Sequence, residues 1–321
     1  VGGSSTPAVD PRASLAPEVL ESLAEACAAA RAATDPSLLE LARLRLATIL
    51  DNESESGARP WGSLEPAKRE ALASWPTSEL FDERERAALA LTEQFAIDVG
   101  GVVAGPLGPS AGVLGADVGP FVQALYVLDV GQRAAKGLAA LFDVPLSSSD
   151  WAWPAVDAVS GTDQMAAMMR LLGAIGRLQT LDPVLKELVR LRGARLHRCR
   201  RCQSVRSVAA LNAGADEGLL SSAAPEEIAD LPAATLAALD LVDALFGGPA
   251  TLDDELVARL RDSFGPSELV ELVSYLMRNA ANKIPVAFGV DDAIVESGFE
   301  LQIIDADGET LTVDESALTT R

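Results

Sequence analysis

Glu187, Cys199 and Cys202 form a Glu-x11-Cys-x2-Cys run, in a segment that also holds the chain's one histidine, His197, and a dense set of arginines. These residue types belong to thiol chemistry. A thiolate is the nucleophile, a second thiol three residues away can close a disulfide, and a carboxylate or imidazole can move protons. On a helical turn such cysteines have Cα atoms about 5 to 6 Å apart, within disulfide reach. From Lys186 to Arg206 the chain carries eight Lys or Arg against one acidic residue, although its overall net charge is −21. Two readings of this cluster compete: a solvated helix face of arginines, or a positive field that lowers a thiol pKa. A zinc site is the weaker expectation, because four ligands are normally needed and only Cys199, Cys202 and His197 are near at hand. Cys27, the third cysteine, is expected to pack as a small apolar residue.

The elements that must position these residues read as helices. Gly193 and the polar run after it put one helix end near His197 and another helix start close to Cys199, where unpaired N–H groups would favour a thiolate. Apolar periodicity predicts helices over 15–33, 36–50, 83–99 and 119–141, then 162–178, 183–197, 200–213, 232–247, 253–264 and 266–283. With 49% hydrophobic but only 4% aromatic residues, alanine, leucine and valine must fill the core, which suits closely packed helices. The fold class expected is all-α. The tail breaks the pattern: "LQIID" and "TLTVD" flank Asp-Gly, the signature of a short C-terminal β-hairpin that should lie on the helices or on a neighbouring chain.

The acidic balance argues against nucleic-acid binding. Three cysteines make no disulfide framework, so a reducing compartment is expected. No uninterrupted run approaches the ~20 apolar residues of a spanning helix, so no membrane and a cytoplasmic location are expected.

The chain also reads as a duplication. "ELARLRLATILDN" from Glu40 and "ELVRLRGARLHRC" from Glu187 share Glu, Leu, Arg, Leu and Arg at the same offsets. Further on, "LALTEQFA" is echoed by "LAALDLVDALF", and "GQRAAKGLAALFDV" by "MRNAANKIPVAFGV". The predicted organisation is a degenerate repeat over 1–148, a second repeat with the Cys pair over 149–298, and a hairpin tail over 299–321. The seam falls in the Pro- and Ser-rich stretch from Asp143 to Asp163, with Trp151 and Trp153 packing to anchor it. Counted from Glu40, the two cysteine positions fall on Asn52 and Glu55, so the first copy should be silent.

Together, the repeat, the Cys-x-x-Cys spacing and its flanks resemble the carboxymuconolactone decarboxylase and alkyl hydroperoxidase D superfamily, as does "LASWPTSELFDERERAALALTEQF" in the first half. Glu187, Cys199, Cys202, Ala210 and Gly214 fall on the superfamily's pattern, whereas Arg206 stands in the place of its histidine. The resemblance implies a thiol-dependent hydroperoxide reductase in which Cys202 attacks the peroxide, Cys199 closes a disulfide and Glu187 serves a proton relay. It implies no bound cofactor or metal, a small-molecule hydroperoxide as substrate, a dithiol donor such as a lipoyl protein, and a homo-oligomer. Arg206, with Arg198, Arg200 and Arg201, would stabilise a thiolate, and His197 would replace the missing base if turned inward. Two alternatives accompany this: a decarboxylase or other lyase acting on a carboxylate, and a non-catalytic oligomeric scaffold.

Overall fold

The computed structural model describes residues 10–58, 60–102, 107–144, 163–221, 231–296, 298–314 and 317–318. The principal helices of the first half are α1 (Pro17–Ala33), α2 (Pro36–Ile49), α3 (Glu83–Ile97) and α4 (Val118–Phe142). Those of the second half are α5 (Gln164–Gly176), α6 (Pro183–Leu196), α7 (Arg200–Gln203), α8 (Val208–Asn212), α9 (Ala233–Phe246), α10 (Asp254–Ser263), α11 (Pro266–Asn279) and α12 (Lys283–Ala287). A small sheet adds β1 (Val205–Ser207), β2 (Glu300–Ile304) and β3 (Thr310–Val313).

Aspartate starts many of these helices. Asp35 and Asp182 each accept two backbone N–H bonds, from Ser37 and Leu38 and from Val184 and Leu185, and each is followed by a proline at the first helical position. A short carboxylate satisfies N–H groups that have no intrahelical partner, and proline has none to lose there. Asp82 and Glu85 complete a capping box at α3.

One hydrophobic core runs through both halves of the chain, with Leu39, Phe95, Phe121 and Leu125 in the same cluster as Leu171, Leu241 and Leu272. Its axis is α4. The span Gly108–Phe142 is long and apolar enough to cross a membrane by length and composition, yet Phe121, Leu125, Tyr126 and Leu128 are packed inside the protein. Polar side chains on α4 tie the halves together. Tyr126 Oη donates to Met277 O at 3.0 Å, and Asp129 accepts Lys283 Nζ at 2.7 Å and Arg133 Nε at 2.8 Å.

The all-α class holds, with the tail hairpin in place: β2 and β3 pair antiparallel in the register Leu301 to Val313. The hairpin lies on the chain's own helices. Its Asp-Gly turn puts Gly308 at φ +81°, against Gly173 and Gly176 of α5, so closely that a Cβ on Gly176 would stand 2.3 Å from Gly308 O. Two features depart from the predicted elements. The segment 200–213 is two short helices separated by β1, because Val205–Ser207 pairs in parallel with Glu300–Gln302. Short helices also occur at Ser54–Gly57, Pro66–Ala71 and Leu107–Leu114. The expected seam, with Trp151 and Trp153, lies outside the described residues.

Candidate functional site

The site is built on the middle of α6. Glu187 and Arg190, three apart, lie on one helix face and form a bidentate pair, with Nε to Oε2 and Nη2 to Oε1 both at 2.7 Å. Burial by itself would lower the Arg190 pKa, but the charge and hydrogen bonds of Glu187 carry it above the ordinary guanidinium value. Fixed in this way, Arg190 spends its other donors on the loop carrying the cysteines, reaching Cys202 O through Nη1 and Val205 O through Nη2, each at 2.7 Å. Glu187 Oε1 also accepts the Ser207 N–H at 3.1 Å. Glu187 therefore holds the arginine that holds the cysteine loop, and both of its oxygens are occupied in doing so.

The chain leaves α6 through Arg198, which adopts φ +55°. Cys199 then caps α7, its Sγ accepting the Cys202 N–H at 3.2 Å. Cys199 and Cys202 are disulfide-bonded, with Cα atoms 5.3 Å apart, within the range their spacing predicts. Asp291 secures this turn from the other side, taking the Arg200 N–H at 2.9 Å and its guanidinium at 2.8 Å. Burial would raise the Asp291 pKa, but Arg200 holds it below the usual carboxylate range. Cys199 is 1% exposed, whereas Cys202 is half-buried and opens on a cleft of about 290 Å³. Met169, Leu172 and Gly173 form one wall of the cleft, Arg278, Asn279 and Asn282 another, and Gln302, Glu309 and Thr310 of the hairpin a third. Of the two cysteines, Cys202 is therefore the one that a small molecule in the cleft can reach.

The other predicted residues, Arg206 and His197, are each engaged by other groups. Arg206 pairs with both oxygens of Glu217, donates to Gln203 O at 2.7 Å and Val205 O at 2.9 Å, and lies over the Phe299 ring. Its hydrogen bond and charge lower the Glu217 pKa. His197, at the end of α6, is buried with Nδ1 2.7 Å from Asn282 Oδ1; because that oxygen only accepts, Nδ1 carries the proton. Burial first, and the Lys283 charge after it, push its pKa down to about 3, so the ring is neutral over the ordinary pH range. Arg198 and Arg200 face Asp98, Asp291 and Asp292. Much of the basic cluster is therefore neutralised locally, by acids distant in sequence.

Arg278, Asn279, Asn282 and Thr310 were not predicted as site residues; "MRNAANK" signals only the repeat. Arg278 donates to Leu172 O at 3.1 Å, Gly308 O at 3.1 Å and Thr310 Oγ1 at 2.8 Å, and burial lowers its pKa. Among the described residues, no group of three His, Cys, Asp or Glu side chains is placed to hold a metal ion.

At the corresponding offsets of the first half, Arg43 binds Glu40 through Nε at 2.9 Å and Nη2 at 2.8 Å, and its Nη1 reaches Glu55 O at 2.6 Å. Glu55, which stands at the Cys202 offset, adds its carboxylate to the same Nη1 at 2.7 Å. Where the second half has a thiol, the first has another ion pair, buried with Asn52.

Residues 163–244, which include the cysteine loop and its clamp, match the model of the carboxymuconolactone decarboxylase family. The uncharacterized proteins MT2376 and Rv2313c, from two strains of Mycobacterium tuberculosis, CDC 1551 / Oshkosh and ATCC 25618 / H37Rv, are each 36% identical over 251 residues, covering 76% of this chain and 88% of the relative. No solved structure gives a significant match. The segment that holds the clamped Cys-x-x-Cys loop, residues 163–244, is thus a carboxymuconolactone decarboxylase family domain.

Proposed function

We propose that the chain is a thiol-dependent hydroperoxide reductase. The observation that carries this reading is the pairing of a cleft-facing Cys202 with a buried Cys199 in one disulfide. In the reduced state the Cys202 thiolate attacks the outer peroxide oxygen, the O–O bond breaks, and a sulfenic acid and an alkoxide form. Cys199 then attacks the sulfenic sulfur and hydroxide leaves. The two thiol protons end on the alcohol and on water, so two thiols and one hydroperoxide become a disulfide, an alcohol and water. A dithiol donor, such as a lipoyl group on a partner protein, returns the disulfide to thiols and is itself oxidised to a disulfide.

Glu187 acts here by position, through Arg190. The first half serves as a silent copy of the same unit, a reading supported by Glu40, Arg43, Asn52 and Glu55 at the equivalent offsets. The test is consumption of an organic hydroperoxide with dihydrolipoamide as donor, wild type against Cys202→Ser. Turnover lost in the variant is the result expected; no wild-type turnover above background overturns the reading. Arg278 and Arg201, which line the cleft without a carboxylate partner among the described residues, favour a second reading, a lyase acting on a carboxylate, and such activity would survive Cys202→Ser.

A further inference from the structure

Two cations in the Cys202 cleft have no carboxylate of their own. Arg278 spends Nε and Nη2 on two carbonyls and a hydroxyl, and its Nη1 makes no hydrogen bond among the described residues. Arg201, at the exposed mouth, is held by its backbone N–H on Asp291 O, while its guanidinium has no partner among the described residues. The contrast with the neighbouring arginines is sharp, since Arg190, Arg192, Arg200 and Arg206 all face acids. Asn279, beside Arg278, has a buried Nδ2 with no acceptor. The carboxylate lining this space is that of Glu309, exposed on the hairpin. A buried amide donor without an acceptor, here Asn279 Nδ2, is costly unless a ligand supplies one, and the half-buried Arg278 Nη1 beside it has a donor to spare for the same ligand.

On the reading of the site as a peroxidase, we propose that its substrate is a small organic hydroperoxide that also bears a carboxylate. The carboxylate sits on Arg278 Nη1 and Asn279 Nδ2, the carbon skeleton lies along Met169 and Leu172, and the peroxide meets Cys202. Arg201 attracts the anion at the mouth. A cleft of about 290 Å³ is near the lower end for small-molecule sites, which fits a compact acid better than a long chain.

The test separates this proposal from the peroxidase reading. Reduced full-length protein is alkylated at pH 7 with iodoacetate, an anion, and in parallel with neutral iodoacetamide, and the label on Cys202 is followed by mass spectrometry. The ratio of the two rates, divided by that of an unstructured cysteine peptide, should exceed unity by about fivefold, and should shrink in high salt. Arg201→Gln and Arg278→Gln should each bring the ratio toward that of the peptide. Because Arg278 also anchors the hairpin, Arg278→Lys is included and should restore part of the selectivity. A wild-type ratio equal to the peptide's overturns the proposal, whatever the turnover. In a second arm, kcat/KM for cumene hydroperoxide is compared with that for its ring-carboxylated analogue. The carboxylated peroxide should be preferred in wild type and lose that preference in Arg201→Gln. Turnover of neither peroxide, with charge-selective alkylation intact, overturns the peroxidase reading and leaves an anion site.

Discussion

Replacing Glu187 by Gln keeps the shape of the side chain and removes the charge opposite Arg190. That guanidinium is 8% exposed and its partner 0%, so the variant strands a cation where water cannot solvate it. Breaking such a pair costs about 3 to 5 kcal/mol. The amide oxygen still accepts one bond, and Cys202 O and Val205 O still take the other donors, which places the expected loss at the lower end, about 3 kcal/mol. At about 2 to 4 °C per kcal/mol for a chain somewhat smaller than this one, the melting midpoint should fall by roughly 6 to 12 °C. Glu40→Gln is the internal control. Arg43 keeps Glu55 as a second carboxylate at 2.7 Å, so its midpoint should fall by less than that of Glu187→Gln. Circular-dichroism melting of wild type and both variants reads the order directly, and hydroperoxide turnover is measured alongside at a temperature where all three are folded. An unchanged midpoint in Glu187→Gln together with abolished turnover would refute the positioning role and make Glu187 a proton carrier.

His197 is neutral when folded and is the chain's one histidine. Its depressed pKa means that only the unfolded chain binds a proton as pH falls from about 6.5 toward 3, so wild type should lose about 1.4 kcal/mol per pH unit in that window relative to His197→Gln. Urea unfolding at pH 7 and pH 5 checks this, and equal losses in both proteins would contradict it. Cys27 is buried with its thiol pushed up to about 12; native reduced protein should leave it unlabelled by maleimide at pH 7 while Cys202 reacts, and unfolding should expose it. Gly176→Ala brings a methyl against Gly308 O and should loosen the hairpin, seen as faster amide hydrogen exchange over 300–313 with little change in α6. Unaltered exchange would show that the turn moves aside freely.

The helices were legible because each buries a face of regular period behind an aspartate or proline start, as at Asp35-Pro36 and Asp182-Pro183. The hairpin was legible for the equivalent local reason, an Asp-Gly turn between alternating segments. Contacts across long separations were not legible. β1 looked helical by period and became a strand because Glu300–Gln302, more than ninety residues on, supplies its partner. Tertiary pairing also hid the fate of the basic cluster: Glu217, only eleven residues on, pairs with Arg206, and Asn282, eighty-five residues on, holds His197. Thiol positions can be read from spacing, whereas the charge felt at a thiol depends on which acids the fold brings beside its arginines.

The parallel pairing of β1 with β2 has a consequence for biosynthesis. The cysteines, Arg190 and Glu187 are all made by residue 202, but the strand that fixes Val205–Ser207, and the Thr310 that Arg278 grips, come about a hundred residues later. A nascent chain stalled between these points carries a complete thiol pair with at least the hairpin wall of its cleft absent. On the proposed function, selectivity for what reaches the sulfur would be acquired after the capacity to react. Ribosome-bound or prematurely terminated forms should consequently be the ones most open to indiscriminate oxidation.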